Sequence, residues 1–417
     1  PADGSHHTFA GSSLTLSNGA ILAFKNTSGS RYVSIGTDLF LDGGEVHNWA
    51  GSSANLGGKV TLRAGGGKID PQGNTFSFPA LIGGPGMLRI GATASSPLNG
   101  TVNLNGVNTY TGGSVIEAPH TVQIDNSAGL GSTTGSLSFS NSVGRGYGTL
   151  NLNGNDLTIG KLSGAGGTIL NNLSGTTNTL TIGNGDATGS SFQGIIADGN
   201  GMVGISKIGT GTLTLAGNNS YSGDTTISGG IVNAQHSNAF GSIGNVTMSA
   251  RSGGISLQGG INVPSGVTFK LSNDGIGAVP FALDNVSGNN KISGPINIGT
   301  GGGSAVVQSD GGSLTLAGSI SIASGSSSRG LILQGASTGT NTVSGVLSNN
   351  GSSFLSVQKV GAGTWTLTAA NTYSGGTTVS NGTLLVNNTS GSGTGSGGVL
   401  VSGSGAVLAG KGVIAGT

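Results

Sequence analysis

The chain has 417 residues, of which 86 are Gly, 7% are charged and 4% are aromatic, and its formal net charge is +1. A nucleic-acid partner needs a concentrated Lys/Arg surface, and here the basic residues are scattered from Lys25 to Lys411 without a run. No apolar stretch approaches the ~18–20 residues of a membrane-crossing helix, so no transmembrane segment is expected.

Short strand-like runs follow one another along the whole chain. Ser13-Leu14-Thr15-Leu16, Lys59-Val60-Thr61-Leu62, Thr149-Leu150-Asn151-Leu152, Thr212-Leu213-Thr214-Leu215, Ser313-Leu314-Thr315-Leu316 and Thr366-Leu367-Thr368 alternate apolar with small polar residues. Period two marks a strand with one buried face. Amphipathic helical spacing is missing throughout, and each Gly would weaken a helix by about 1 kcal/mol. The Gly/Ser/Asn clusters between runs vary in length, as the corners of a coil tolerate and tight hairpins do not. The expectation is an all-β fold, a right-handed parallel β-helix forming one continuous elongated solenoid over residues 1–417, with coils of roughly 20–25 residues.

Two segments, Lys207 to Thr226 and Lys359 to Thr378, share Lys-x-Gly-x-Gly-Thr-x-Thr-Leu followed by Asn-x-Tyr-Ser-Gly-x-Thr-Thr. The repeat units extend over 207–233 and 359–387, with a weaker echo at 101–125 around Asn108-Thr109-Tyr110-Thr111-Gly112-Gly113. Such self-similarity marks stacked structural units. After Lys207 and Gly211, Leu213 and Leu215 should point inward while Thr212 and Thr214 face solvent. Asn219 turns a corner, Tyr221 caps the next side and Gly223 permits the bend. Lys359, Gly363, Trp365, Leu367, Asn371, Tyr373 and Gly375 hold the same places in the second copy. Leu213, Leu215, Ile227, Leu367, Val379 and Leu384 are expected buried in one column, with Thr212, Thr214, Thr366 and Thr368 exposed. Corner Asn side chains are candidates for hydrogen-bonded ladders from coil to coil.

Groups able to do chemistry are sparse. Asp38, Asp42, Glu45 and His47 are the densest titratable set; an acid/base or metal site needs them to converge, but a solvated loop between strands is the expectation. The stretch Gly199 to Gly204 has the letters of a dinucleotide fingerprint without the strand and helix it requires. Gly183-Asn184-Gly185-Asp186 is similar to a calcium-binding turn whose Asp fails to recur about every nine residues. His6, His7, His47, His120 and His236 are dispersed. Trp49 and Trp365 are candidate sugar-stacking platforms, although Trp365 stands at the inward place of Leu213 and is expected in the core. No cofactor and no metal are expected.

The segments Lys207 to Gly230 and Lys359 to Gly382 resemble the autotransporter-associated β-strand repeat, or passenger-associated transport repeat, of exported bacterial β-helical surface proteins. Ser237 to Thr247 and the tail Gly398 to Gly412 are similar to the continuation of that repeat. The resemblance implies a β-helical fold and a route of export, with no catalytic residues, and places the protein outside the cell or on the bacterial surface. A removed leader fits a chain opening at Pro1, and the absence of Cys suits export. The function expected is structural rather than enzymatic: a rod-like stalk or adhesin, or the subunit of a head-to-tail filament. The stretch 389–417 has one charge (Lys411), no Pro and strand-like alternation, so it reads as an open edge able to add a second copy end to end. Glycan or cell-surface contacts are the other partners expected. The alternatives are a carbohydrate-active β-helix enzyme, which needs clustered carboxylates in a groove, and a glycan-binding module, which needs exposed aromatics.

Overall fold

The computed structural model describes residues 12–24, 34–35, 37–48, 55–56, 58–78, 81–92, 99–117, 119–141, 144, 146–249, 251–299 and 303–415. Among these residues there is no helix. The strands run parallel to their partners, from Ser13–Ser17 beside Asp38–Asp42 to Gly382–Val386 beside Ala406–Gly410. Each strand therefore bonds to the strand one coil on, and the fold is a parallel β-solenoid. Thr212 stands beside Ile231, 19 residues on, whereas Asn262 stands beside Lys291, 29 residues on. Coil length varies more than the strand spacing suggests because Gly-rich corners absorb insertions without disturbing the ladders.

Two compact units divide the chain, Pro1–Gly204 and Ile205–Thr417. In the first, one long sheet takes Ile21–Phe24, Gly44–Asn48, Gly67–Asp70, Leu88–Ile90, Ser114–Glu117, Ser136–Ser140, Lys161–Gly164 and Ser190–Phe192. A four-stranded sheet holds Ser13–Ser17, Asp38–Asp42, Val60–Leu62 and Ile82–Gly83, and a six-stranded sheet runs from Thr75–Phe78 to Ile195–Ile196. Phe24, Phe76 and Phe78 pack inside, with ring centroids 5.8 and 4.3 Å apart.

The second unit has three faces. Face a carries residues 205–207, Thr225–Ile227, Ile243–Met248, Gly266–Leu271, Ile296–Ile298 and Ile320–Ile322. Face b begins with Thr212–Leu215 and Gly230–Ala234 and continues through Gly253–Gln258, Leu283–Ser287, Ala305–Ser309, Arg329–Gln334, Leu355–Lys359, Thr377–Val379 and Val399–Val401. Face c takes Asn262–Val263, Asn289–Ile292, Ser313–Leu316, Asn341–Val343, Thr364–Leu367, Gly382–Val386 and Ala406–Gly410. Leu213, Leu215, Ile227, Leu367, Val379 and Leu384 are all buried. They do not form one column, however: Leu213, Leu215 and Val379 come from face b, Ile227 from face a, and Leu367 and Leu384 from face c. Thr212, Thr214, Thr366 and Thr368 are half-buried rather than exposed, because flanking strands screen an outward side chain within a ladder.

Candidate functional site: repeat corners and charged outer faces

Each repeat copy builds the same corner. Lys207 and Lys359 occupy inward positions at strand ends and are 1% and 0% exposed. The Lys359 ammonium donates to the carbonyls of Val360, Gly361 and Asn381 at 2.8, 2.7 and 3.0 Å. Lys207 donates likewise to Ile208, Gly209 and Gly229. Carbonyl acceptors replace the counter-ion that a buried cation would otherwise require. Burial brings the Lys359 pKa down to about 8. Gly230 and Gly382 lie under these ammonium groups with φ +63° and +66°, and a Cβ there would sit 2.8 and 2.7 Å from Nζ. A side chain at either place would collide with the cation as well as strain the backbone.

Asn and Tyr take over where the strand is missing. Asn371 accepts the Leu347 N–H at 2.9 Å from the coil before and donates to Gly393 O at 2.7 Å in the coil after. Asn108 does the same between Ile82 and Gly129, at 2.9 and 2.7 Å. Asn219 donates to Ala239 O at 2.9 Å. These three amides bridge to neighbouring backbone, while an amide-to-amide step from coil to coil occurs at the same corner where Asn238 donates to Asn218 Oδ1 at 2.8 Å. Tyr110, Tyr221 and Tyr373 lie in the core with hydroxyls 2.6, 2.7 and 2.5 Å from Ser114, Thr225 and Thr377. Burial raises all three phenol pKa values, that of Tyr373 to about 12. Trp365 is also in the core and donates to Gln334 O at 3.0 Å, so it offers no sugar platform; Trp49, His6 and His7 fall outside the described residues.

The two copies share this corner but not its place in the coil. In the first, Thr212–Leu215 lies on face b and the Asn-Tyr segment crosses face c, where Asn238 donates to Asn218 and the face c strand Asn262–Val263 bonds Ser237. In the second, Thr364–Leu367 lies on face c and the Asn-Tyr segment crosses face a, against Leu347, itself bridged to Ile320. One copy is turned by a face relative to the other. Asn219, Tyr221 and Gly223 therefore match Asn371, Tyr373 and Gly375 in local bonding but face different sides of the unit. Gly211 and Gly363 precede the inward-facing strand in both, and Gly375 has no room for a Cβ, which would meet Leu355 O at 2.5 Å.

Charge is concentrated on the long sheet of the first unit. Asp38, Asp42, Glu45 and His47 lie not on a loop but on strands Asp38–Asp42 and Gly44–Asn48. Asp38 accepts Lys59 N–H at 3.2 Å and Asp42 accepts Gly65 N–H at 2.8 Å, each tying its coil to the next. Glu45 and His47, two apart on one strand, do meet, at 2.7 Å. Register then stacks Glu45, Lys68 and Arg89 in one row and His47 beside Asp70 in the other. Arg89 pairs with Glu117, whose carboxylate fills the space a side chain at Gly91 would need. His120 Nδ1 accepts Gly100 N–H at 3.2 Å, and its Nε2 faces Asp70 at 3.9 Å. Burial lowers the His120 pKa, against the opposing pull of Asp70. A catalytic acid or base must reach a substrate, and Asp70 and His120 are both 0% exposed. Among the described residues no group of three His, Asp or Glu is placed to hold a metal ion. Sequence reading noted His120 only as one of five dispersed histidines and did not group it with Asp70, Arg89 and Glu117, because they lie one or more coils apart; only the coil register brings them together.

A second acidic position lies on face b of the other unit. Asp284 stands between Ser256 and Gln308 in register, and its buried Oδ1 has no hydrogen bond. Val279, Phe281 and Val306 pack on this outer face beside it, and Asn273 pins the covering segment through the carbonyls of Gly253, Val279 and Phe281. Burial, then the charge of Asp310, raises the Asp284 pKa to about 7.

These geometries define the class: a parallel β-solenoid whose corners are built by a Lys-Gly and Asn-Tyr repeat. The passenger-associated transport repeat matches the chain three times, at residues 99–118, 205–234 and 357–386. Over 268 residues the chain is 31% identical to the adhesin BmaC autotransporter of Brucella suis biovar 1 (strain 1330). That match covers 62% of this chain and 7% of the relative, so the chain corresponds to a small part of that protein's length. No solved structure matches the chain.

Two outcomes test these sites. Asn371→Ala removes both inter-coil bonds and should lower stability by about 2–4 kcal/mol, read from the urea midpoint. The raised Asp284 pKa means the native state holds its proton more tightly than the unfolded chain, so stability falls as pH rises from about 4 to about 7. Asp284→Asn should remove that slope and leave the variant more stable than the parent at pH 8.

Proposed function

We propose that this chain is a β-solenoid segment of an exported, cell-surface adhesin and acts as a non-enzymatic scaffold presenting its outer faces. The observation that carries the reading is the 31% identity over 268 residues with an autotransporter adhesin, and the three passenger-associated transport repeats support it. The physical role follows from the corners: strand ladders, Asn bridges and caged Lys groups hold successive coils in register, which suits a stiff stalk. A carbohydrate-active enzyme is not favoured, since the buried Asp70–His120 pair offers a substrate no access. On a panel of cell and matrix surfaces, particles coated with the folded chain should adhere to at least one several-fold more than particles coated with heat-unfolded chain. Equal retention of the two on every surface would overturn the adhesin reading.

We also propose that the last described coil adds a second copy of the chain end to end. What supports the reading is the apolar alternation of this coil, in which Leu400, Val401, Val407, Val413 and Ile414 are the residues a second copy would cover. Sedimentation velocity should show species that grow with concentration for the parent and a single small species for the Leu400→Asp/Val407→Asp variant. A parent that stays a single species at all concentrations removes the filament-subunit reading and leaves the stalk.

A further inference from the structure

Face a of the second unit carries a recess of about 420 Å³, lined by Lys270, Asn297, Ser321, Ile322, Ala323, Ser324 and Asn350. Register makes its floor: Lys270 stands beside Asn297, and Asn297 beside Ser321, so an ammonium, an amide and a hydroxyl point outward from three successive strands. Neighbouring strands are about 4.8 Å apart, so these groups span roughly the length of one sugar ring with its substituents. Ser321 Oγ donates to Asn297 Oδ1 at 3.2 Å, which turns the Asn297 amide nitrogen away from Ser321. The wall is a knuckle closed by the antiparallel bridge between Asn350 and Ser353 and held down by Asn350 Nδ2 on Ile322 O at 2.9 Å.

Charge selects the occupant. The acidic residues of this unit are Asp224, Asp274, Asp284 and Asp310. Asp274 pairs with Arg251 at 3.4 Å, Asp224 binds Asn245, and Asp284 and Asp310 belong to face b. Among the described residues no carboxylate pairs with Lys270. A half-buried ammonium at the end of a hydroxyl- and amide-lined recess has its complement in an acid group on a polyhydroxylated ligand. Ile322 is 1% exposed and faces the core, so half-buried Ala323 supplies the apolar contact for a sugar's C–H face.

We propose that this recess binds an acidic saccharide unit, with Lys270 pairing its carboxylate or sulfate and Asn297, Ser321 and Asn350 hydrogen-bonding its hydroxyls. The proposal rests on the adhesin reading for its biological setting and on the recess alone for its chemistry. The test is calorimetric titration of the whole chain with three oligosaccharides of equal length, one of uronate units, one sulfated and one neutral. At least one acidic oligosaccharide should bind ten-fold or more tighter than the neutral one, with an affinity that falls as salt rises. The arm that binds identifies the acid group. Lys270→Gln, with an unchanged urea midpoint, should lose that ten-fold preference, and Asn297→Ala should weaken binding several-fold. Failure of both acidic arms to bind at millimolar concentration, or equal affinities for parent and Lys270→Gln, overturns the recess. Calorimetry and adhesion separate the two readings: adherent particles whose chain binds neither acidic oligosaccharide sink the recess and leave the adhesin, whereas saccharide binding by a chain that adheres to nothing does the reverse.

Discussion

The structure depends on coil-to-coil hydrogen bonding of the backbone. A buried backbone N–H or C=O left unpaired is costly, and in a solenoid the available partners are the adjacent coils, so each coil must present these groups to the coil on either side. Strands meet that demand on the faces. Where the chain leaves strand conformation, a side chain has to stand in for the ladder, and Asn suits this because one amide offers an acceptor and donors in a single plane. Asn371 and Asn108 each reach one coil back and one coil forward, and Asn341 does the same on face c, between Leu314 N–H and Thr364 O. The Asn of the repeat is therefore a structural bridge whose loss would open the corner rather than merely roughen it.

The same demand explains the buried lysines. At the corner after Lys359 several carbonyls turn inward with no N–H opposite them, and an ammonium satisfies three at once. The close approach this requires excludes any Cβ at Gly382, so Lys and Gly act as one device separated by a coil. Because the device is local, it can be placed on any face. The two full copies show this, one with its Asn-Tyr segment on face c and the other with it on face a.

Outer faces are where the protein differs from a plain scaffold. The solenoid core takes apolar side chains from alternate positions of the strands, leaving the outward rows free to vary, and rows of outward residues become surfaces with their own chemistry. In the first unit one row concentrates Glu45, Lys68 and Arg89 on a chain otherwise poor in charge. In the second, face b carries the buried Asp284, while face a offers a hydroxyl and amide floor ending in Lys270. The proposed adhesin role calls for this division, a regular interior and an exterior that can be specialised coil by coil.

The sequence by itself determined the strand class, the parallel solenoid and the repeat, because period two, Gly-rich corners and self-similarity are local properties written in consecutive residues. It marked Leu213, Leu215, Asn219, Tyr221 and their counterparts as special, although it did not show that Asn bridges to backbone or that Lys207 and Lys359 lie inside. Which residues become neighbours across coils was decided only by the tertiary structure. Coil lengths run from 19 residues at Thr212–Ile231 to 29 at Asn262–Lys291, so no fixed period predicts that His120 faces Asp70 or that Lys270, Asn297 and Ser321 share a row. Each extra corner residue shifts every later contact without altering the strand pattern. The charged rows, the rotated repeat and the recess were therefore invisible to a reading along the chain.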